Sequence, residues 1–303
     1  MGFILNPLYN IVSGIMIAIH KVLSPIFGAN SGVTWSLSIM GLVVLIRIIL
    51  IPLFVKQIKS QRAMTALQPQ MKAIQAKYKD DRQKQSEEMM KLYKEHKTNP
   101  LASCFPILAQ APVMFALFTV LNGIAHDKPH GFMKGEYLVS AAQAKFFGSP
   151  ISETFLGSDK LTVKIVTVVL IALMSATTFT TQKQLMTKGM PKMDASNNMM
   201  LQQQKIMLYL FPVIFAISGV NFPVGVLIYW STTNLWTWGQ QFYVIKRNPT
   251  PGSPAYEELA RKRAHKAKLD GKELPSEGGS APIEAPKAEG QRQQPKKAKK
   301  KKK

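Results

Sequence analysis

One cysteine, Cys104, stands among 303 residues. An intrachain disulfide and a cysteine metal cluster are therefore excluded, and Cys104 lies too far inside the chain to be a lipoprotein cysteine. Acidic residues are scarce: 17 Asp and Glu face 39 Lys and Arg, for a formal net charge of +22. Five long apolar blocks, residues 35–55, 101–123, 161–181, 206–222 and 224–245, hold no Asp or Glu at all. Proton-coupled transport relies on intramembrane carboxylates or histidines. Intramembrane proteolysis needs a nucleophile–base pair, a carboxylate pair or a metal site. The blocks offer none of these, no cofactor motif is recognisable, and no internal repeat is evident.

What is present is apolar length. Hydrophobic residues make up 46% of the chain, and they collect in the five blocks. A helix crossing a bilayer needs about 20 apolar residues, because it rises ~1.5 Å per residue across ~30 Å of hydrocarbon. The fourth block is weaker, since 17 residues reach only about 25 Å. Little more than Pro223 separates it from the fifth, which predicts a tight helical turn and local thinning of the bilayer. The stretches 56–100, 182–205 and 246–303 carry 11, 4 and 17 Lys and Arg, against 4 in 125–160. The positive-inside rule then puts the N-terminus outside and the C-terminus in the cytoplasm.

The first 26 residues lack a basic start, and Asn6-Pro7 interrupts them early, unlike a secretory signal. At 100° per residue, Asn6, Asn10, Ser13, Gly14, His20, Lys21 and Ser24 share one face. Leu8, Ile11, Val12, Ile15, Met16, Ile19, Val22 and Leu23 share the other. This predicts an amphipathic helix lying in the interface, with a weak sixth span as the alternative. Residues 56–100 read as a cytoplasmic helical hairpin: Leu67, Met71, Ile74 and Tyr78 keep 3–4 spacing, Lys79-Asp80-Asp81 marks the turn, and Asn99-Pro100 ends the second arm. Residues 246–303 are rich in Pro, Gly, Glu and Lys and predict a disordered basic tail. The expected organisation is thus 1–34 interfacial helix and linker, 35–245 core with the hairpin, and 246–303 tail.

Arg47 is the most informative residue. Eight residues separate it from Lys56, too many for comfortable snorkelling, and a central Arg costs roughly 2.5–3.5 kcal/mol on insertion scales. It should face protein or water, either in a polar cavity or bonded to helix-end carbonyls. Other uncharged polar groups lie in the blocks: Gln110, Thr177, Thr178, Thr180, Ser231, Thr232, Thr233 and Asn234. Taken singly, each is read best as an interhelical hydrogen bond of about 0.6 kcal/mol. Taken with Arg47, they favour a polar cavity within the membrane.

The order of several segments resembles the YidC/Oxa/Alb membrane insertases over residues 35–245. They are Ile46-Arg47-Ile48-Ile49-Leu50-Ile51-Pro52-Leu53, Leu67-Gln68-Pro69, Asn99-Pro100-Leu101, Cys104-Phe105-Pro106, Gln110-Ala111-Pro112, Gln204-Lys205-Ile206-Met207, Phe222-Pro223-Val224-Gly225 and Leu227-Ile228-Tyr229-Trp230. The resemblance implies an all-α polytopic core of five transmembrane helices. Its groove would be closed outside and open to cytoplasm and lipid. The family's groove arginine falls on Arg47, and its last-span positions on Tyr229, Trp230 and Asn234. Gln110 and Gln182 are further expected groove residues. The large extracytoplasmic domain of some bacterial members is missing, so contacts assigned to it are not carried over.

So read, the chain belongs in the bacterial plasma membrane and is not an enzyme. A nascent protein's polar flank would enter the groove while its apolar segment slides into the bilayer. The implied partners are nascent membrane proteins and the lipid bilayer, with the Sec translocon admitted as another. The basic tail adds a ribosome or anionic lipid. A small-solute transporter and an assembly scaffold are the alternatives; the first would show a closed route to both sides, the second would leave Arg47 dispensable.

Overall fold

The computed structural model describes residues 2–96, 98, 101–190 and 198–269. Its helices are α1 (Gly2–Phe27), α2 (Gly32–Ile49), α3 (Ile51–Ala66), α4 (Gln68–Lys77), α5 (Arg82–Glu95), α6 (Leu101–Ala125), α7 (Glu136–Gln143), α8 (Leu161–Gln184), α9 (Asn198–Gly219), α10 (Val224–Arg247) and α11 (Pro254–Leu269). A π-helical turn, Leu185–Gly189, follows α8. Among the described residues three helical stretches are long and apolar enough to cross a membrane: Leu5–Phe27, Gly32–Ile49 and Leu161–Gly189. Gln110–Ala125 and Leu208–Gly219 are shorter apolar helices.

The helical expectation left out one element. Strands β1 (Lys145–Phe146) and β2 (Ser149–Pro150) pair antiparallel, Lys145 opposite Pro150 and Phe146 opposite Ser149. The two linking residues, Phe147 and Gly148, both have positive φ, 47° and 81°, as a two-residue hairpin turn of the right twist requires. Gly32, at the start of α2, packs on β1 so closely that an added Cβ would sit 1.8 Å from the Lys145 carbonyl oxygen.

The expected continuous helix over 35–55 is broken in two. α2 stops at Ile49 and α3 begins at Ile51. Pro52 has no N–H to give the Ile48 carbonyl, and its ring crowds that turn. Leu50 sits between with ψ of −2°, and Phe54 restarts the ladder by donating to the Leu50 carbonyl at 3.1 Å. Arg47 therefore falls in the last turn of α2 rather than mid-helix.

α10 is the hub, packing on α8, α2 and α6, while α8 also packs on α9 and α3 on α6. Trp35, Ile39, Leu42, Leu227 and Ile228 are fully buried between them. Inside a bilayer such packing rests on close van der Waals fit rather than escape from water. Gly219 supplies this fit against Ile171 of α8, and Gly225 against the backbone of Ile151. The Ile151 carbonyl accepts from Gly225 N–H at 2.8 Å and the Glu153 carbonyl from Val224 N–H at 3.0 Å. Two of the orphan donors at the α10 N-terminus are satisfied in this way.

α1 packs on α2 and α6. Its buried face straddles the two expected ones: Val12 and Met16 are buried beside polar residues, while Asn6, Asn10 and Lys21 of the polar face stay exposed. Ser13 and His20 are buried, whereas Ile11, Val22 and Ile26 are 55–71% exposed. Ser13 Oγ accepts from Phe132 N–H at 2.8 Å. His20 bridges to the Ala29 carbonyl at 2.8 Å and lies 4.1 Å from the Trp35 ring.

α4 and α5 pack on each other, with a turn over 78–80 between them. The Asp81 carboxylate caps α5 by accepting from Lys84 N–H, and Tyr93 meets Met71 and His96 meets Gln70 across the pair. By compactness the chain divides into Met1–Leu259 and Ala260–Lys303. The expected disorder from residue 246 gives way to helix: α10 runs to Arg247, and α11 covers Pro254–Leu269 without a buried residue. Local chemistry explains α11. Ser253 accepts from Tyr256 N–H, Pro254 suits the first helical position, Glu257 lies in the first turn, and Lys266 and Lys268 lie in the last. The part of that expectation covering 270–303 lies outside the described residues.

Candidate functional site

Three helices meet around Arg47. α2 gives Val43, Ile46 and Arg47, α6 gives Gln110, Val113, Met114 and Leu117, and α10 gives Tyr229 and Thr233. The spacings, three and four residues on each helix, put each set on a single face. The partly open cleft has a volume of about 20 Å³, little more than the 10–15 Å³ that one water occupies on this scale. Its walls are apolar except for one cation, one amide, one phenol and one hydroxyl.

Arg47 is 9% exposed. Its guanidinium lies 5.4 Å from the centre of the Phe54 ring, across the break at Leu50, within the range of a cation–π contact. Its place in the last turn of α2 also sets it beside the negative end of that helix dipole. No salt bridge joins Arg47 to a carboxylate among the described residues. Thr233 Oγ1 is buried and interacts with the Tyr229 hydroxyl, one turn away on the same helix.

The expected site residues divide evenly. Arg47, Gln110 and Tyr229 come together. Trp230 does not line this cleft: on a helix it points about 100° away from Tyr229. It packs instead in an aromatic cluster with Phe118, Phe215 and Phe222, ring centres 4.8–6.5 Å away. Asn234 and Gln182 are half-buried and also outside the cleft. Thr233, named among the polar groups of the last span but not among the expected groove residues, also lines the cleft; its position four residues after Tyr229 was the available signal. Two of the α8 hydroxyls bond within their own helix rather than to a neighbouring one. Thr177 donates to the Leu173 carbonyl and Thr180 to the Ala176 carbonyl, both at 2.7 Å, the i−4 back-bonding common to such residues. Among the described residues no group of three or more His, Cys, Asp or Glu is placed to hold a metal.

Comparison with known proteins agrees with the apolar helices. The family described as 60Kd inner membrane protein matches residues 26–251. "Membrane protein insertase YidC" of Streptomyces avermitilis is 56% identical over 253 residues, 80% of this chain and 59% of that protein. The protein of the same name from Tropheryma whipplei is 37% identical over 277 residues, 86% of this chain and 89% of its own length. That of Mycobacterium tuberculosis is 31% identical over 315 residues, 93% of this chain and 86% of its own. The chain thus spans about three-fifths of the Streptomyces relative and most of the other two. It belongs to the 60Kd inner membrane protein family.

Proposed function

We propose that the chain is a membrane protein insertase whose cleft between α2, α6 and α10 receives the polar flank of a nascent membrane protein. One observation carries this reading: Arg47 is buried between apolar helices, and the spans around it contain no carboxylate. A cation so placed is costly unless hydrated or met by an anion. A client's acidic or carbonyl-rich flank supplies that partner, and Gln110, Tyr229 and Thr233 offer hydrogen bonds beside it. The client's apolar segment meanwhile passes into lipid, driven by burial of its side chains at about 25 cal/mol per Å². No covalent bond changes, and the chain is not an enzyme.

The membrane arrangement belongs to the same proposal. Five spans are α2 with the start of α3, α6, α8, α9 and α10. The basic excess of 56–100, 182–205 and 246–303 puts those segments in the cytoplasm and the N-terminus outside. α1 is long and apolar enough to cross, and Ile19 packs on Gly41 midway along α2, but its polar and aromatic contacts favour lying across the outer ends of α2 and α6. Tyr9 meets His130, Ser13 meets Phe132, and His20 meets Ala29 and Trp35. These partners lie at or just beyond the helix ends of one side. α4 and α5 form the cytoplasmic hairpin, and the basic tail tethers a ribosome or anionic lipid. The Sec translocon is a further partner in this scheme.

The test is a stalled nascent membrane protein with photoreactive probes placed at Gln110, Thr233 and, as a lipid-facing control, Val168. Crosslinks confined to the first two positions support the cleft. Crosslinks at Val168 alone would assign the client a path outside it.

A further inference from the structure

A second cavity lies on the other flank of α1, well away from Arg47. It is bounded by Gly14, Ile17 and Lys21 of α1 and by Phe132, Lys134, Glu136 and Tyr137, and its volume is about 460 Å³. That falls within the size range of small-molecule sites. Gly14, Ile17 and Lys21 stand at i, i+3 and i+7, one row along the helix. The row borders the exposed apolar stripe of Ile11, Val22 and Ile26. The opposite wall is held in place, because Phe132 N–H donates to Ser13 Oγ at 2.8 Å and Lys134 N–H to the Phe132 carbonyl at 3.0 Å. Phe132 nonetheless stays 54% exposed. Neither lysine forms an ion pair among the described residues.

We propose that this cavity is a binding site for an anionic phospholipid of the outer leaflet. Its phosphodiester sits between Lys21 and Lys134, and an acyl chain runs over Gly14, Ile17 and Phe132 onto the apolar stripe of α1. The chemistry matches in sign and shape. Two lysines and Glu136 leave one net positive charge, which complements the single negative charge of a phosphodiester headgroup. Tyr137 adds a hydroxyl of the kind favoured at the membrane interface. The cavity joins its cationic rim to an apolar floor, and a phospholipid has that same polarity change along its length. The inference rests on α1 lying in the outer interface, as proposed above.

The test uses the purified full chain in mild detergent, offered equal amounts of phosphatidylglycerol and diacylglycerol and read by native mass spectrometry. Lys21→Gln and Lys134→Gln each lower retained phosphatidylglycerol about fivefold, the effect of losing one basic residue near a lipid surface. The double variant lowers it further, and Lys128→Gln, in the same loop but outside the cavity, leaves it unchanged. All of these side chains are exposed, so the fold tolerates their replacement. Retention unchanged in the double variant overturns the proposal. So does equal loss of diacylglycerol, or release of phosphatidylglycerol by millimolar inorganic phosphate, which would mark a plain anion site. A separate arm labels Lys134→Cys, in a chain whose Cys104 is replaced by Ser, in intact cells with an impermeant thiol reagent. Labelling only after the cytoplasm is opened would sink the outer placement itself, whatever the lipid result.

Discussion

At the scale of single residues, Arg47 makes the sharpest claim. Arg47→Ala weakens insertion of clients with acidic translocated flanks about tenfold more than clients with neutral ones, the size of a hydrogen bond to a charged group. Arg47→Lys keeps part of the difference, since charge matters more here than a bidentate fork. Insertion assays with paired clients check this, and equal loss for both would assign Arg47 a structural task. Gly32 makes a packing claim. With Lys145 backbone at 1.8 Å from an added Cβ, Gly32→Ala forces α2 and β1 apart and costs about 1–3 kcal/mol, seen as a lower thermal midpoint in detergent. Glu153 makes a pH claim. Burial works against its charge, but hydrogen bonds from Lys160 and Ser158 and the charges of Lys160 and Lys145 outweigh that, so its carboxyl is held below the usual range. A depressed carboxyl contributes stability above its unfolded value, near pH 4, and loses it as pH falls through the folded value. Glu153→Gln should therefore flatten the acid limb of the stability profile by lowering stability at neutral pH, while changing little below the folded value, where the carboxyl is already protonated; pH-dependent thermal midpoints check this.

At the scale of elements, apolar length was legible and interruptions were not. The blocks at 35–55, 161–181 and 224–245 map onto α2 with α3, α8 and α10, because runs of apolar residues without charge have few alternatives to helix. The break at Leu50 was missed although Pro52 announced it, since hydropathy averages over a residue that removes one hydrogen bond. The β1–β2 hairpin was missed because its turn is Phe147-Gly148, and Phe rarely takes positive φ. α11 was missed for the opposite reason. Its composition promises no core, and none forms, but capping at Ser253 and charges placed to suit the dipole can support a helix in solvent. In the site, Arg47 stood out because a buried charge is expensive in any fold. Trp230 and Asn234 did not join it, because assigning a face on α10 requires knowing which neighbours the helix meets. The α4–α5 pair yields the next expectation. Leu92 is its one buried residue in α5, so amide hydrogens in α4 and α5 exchange faster than those of α2 and α8. Equal protection would show the pair to be part of the packed core.

At the scale of the whole molecule, the charge distribution leads to the tail. Residues 246–303 carry 17 basic and 7 acidic side chains, and phosphate neutralisation of ribosomal RNA is steeply salt-dependent. Two truncations separate its parts: one after Leu269, which keeps α11, and one after Asn248, which removes it. Cosedimentation with ribosomes in neutral detergent falls stepwise through the two if both parts contribute. Undiminished cosedimentation after the longer deletion would leave the tail no role as a ribosome tether. Removing residues beyond Asn248 also takes Pro249 and Thr250 from a small cleft against Leu185, Gly189 and Ile245, so the shorter deletion is the cleaner reference for stability.

The two backbone bonds from Ile151 and Glu153 to the first turn of α10 have a mechanical consequence. They fix the backbone of α10 at its N-terminal end, much as a door leaf is held at its hinge. Any parting of α10 from α2 then widens with distance from Val224: a one-degree swing moves the far end of a 24-residue helix by roughly 0.6 Å and the near end by almost nothing. A segment lodged beside Arg47, more than halfway down α2, gains room early in such a swing while the pinned end stays shut. A swing of that kind would leave both hydrogen bonds intact, so the end of α10 at Val224 keeps its packing while the far end moves.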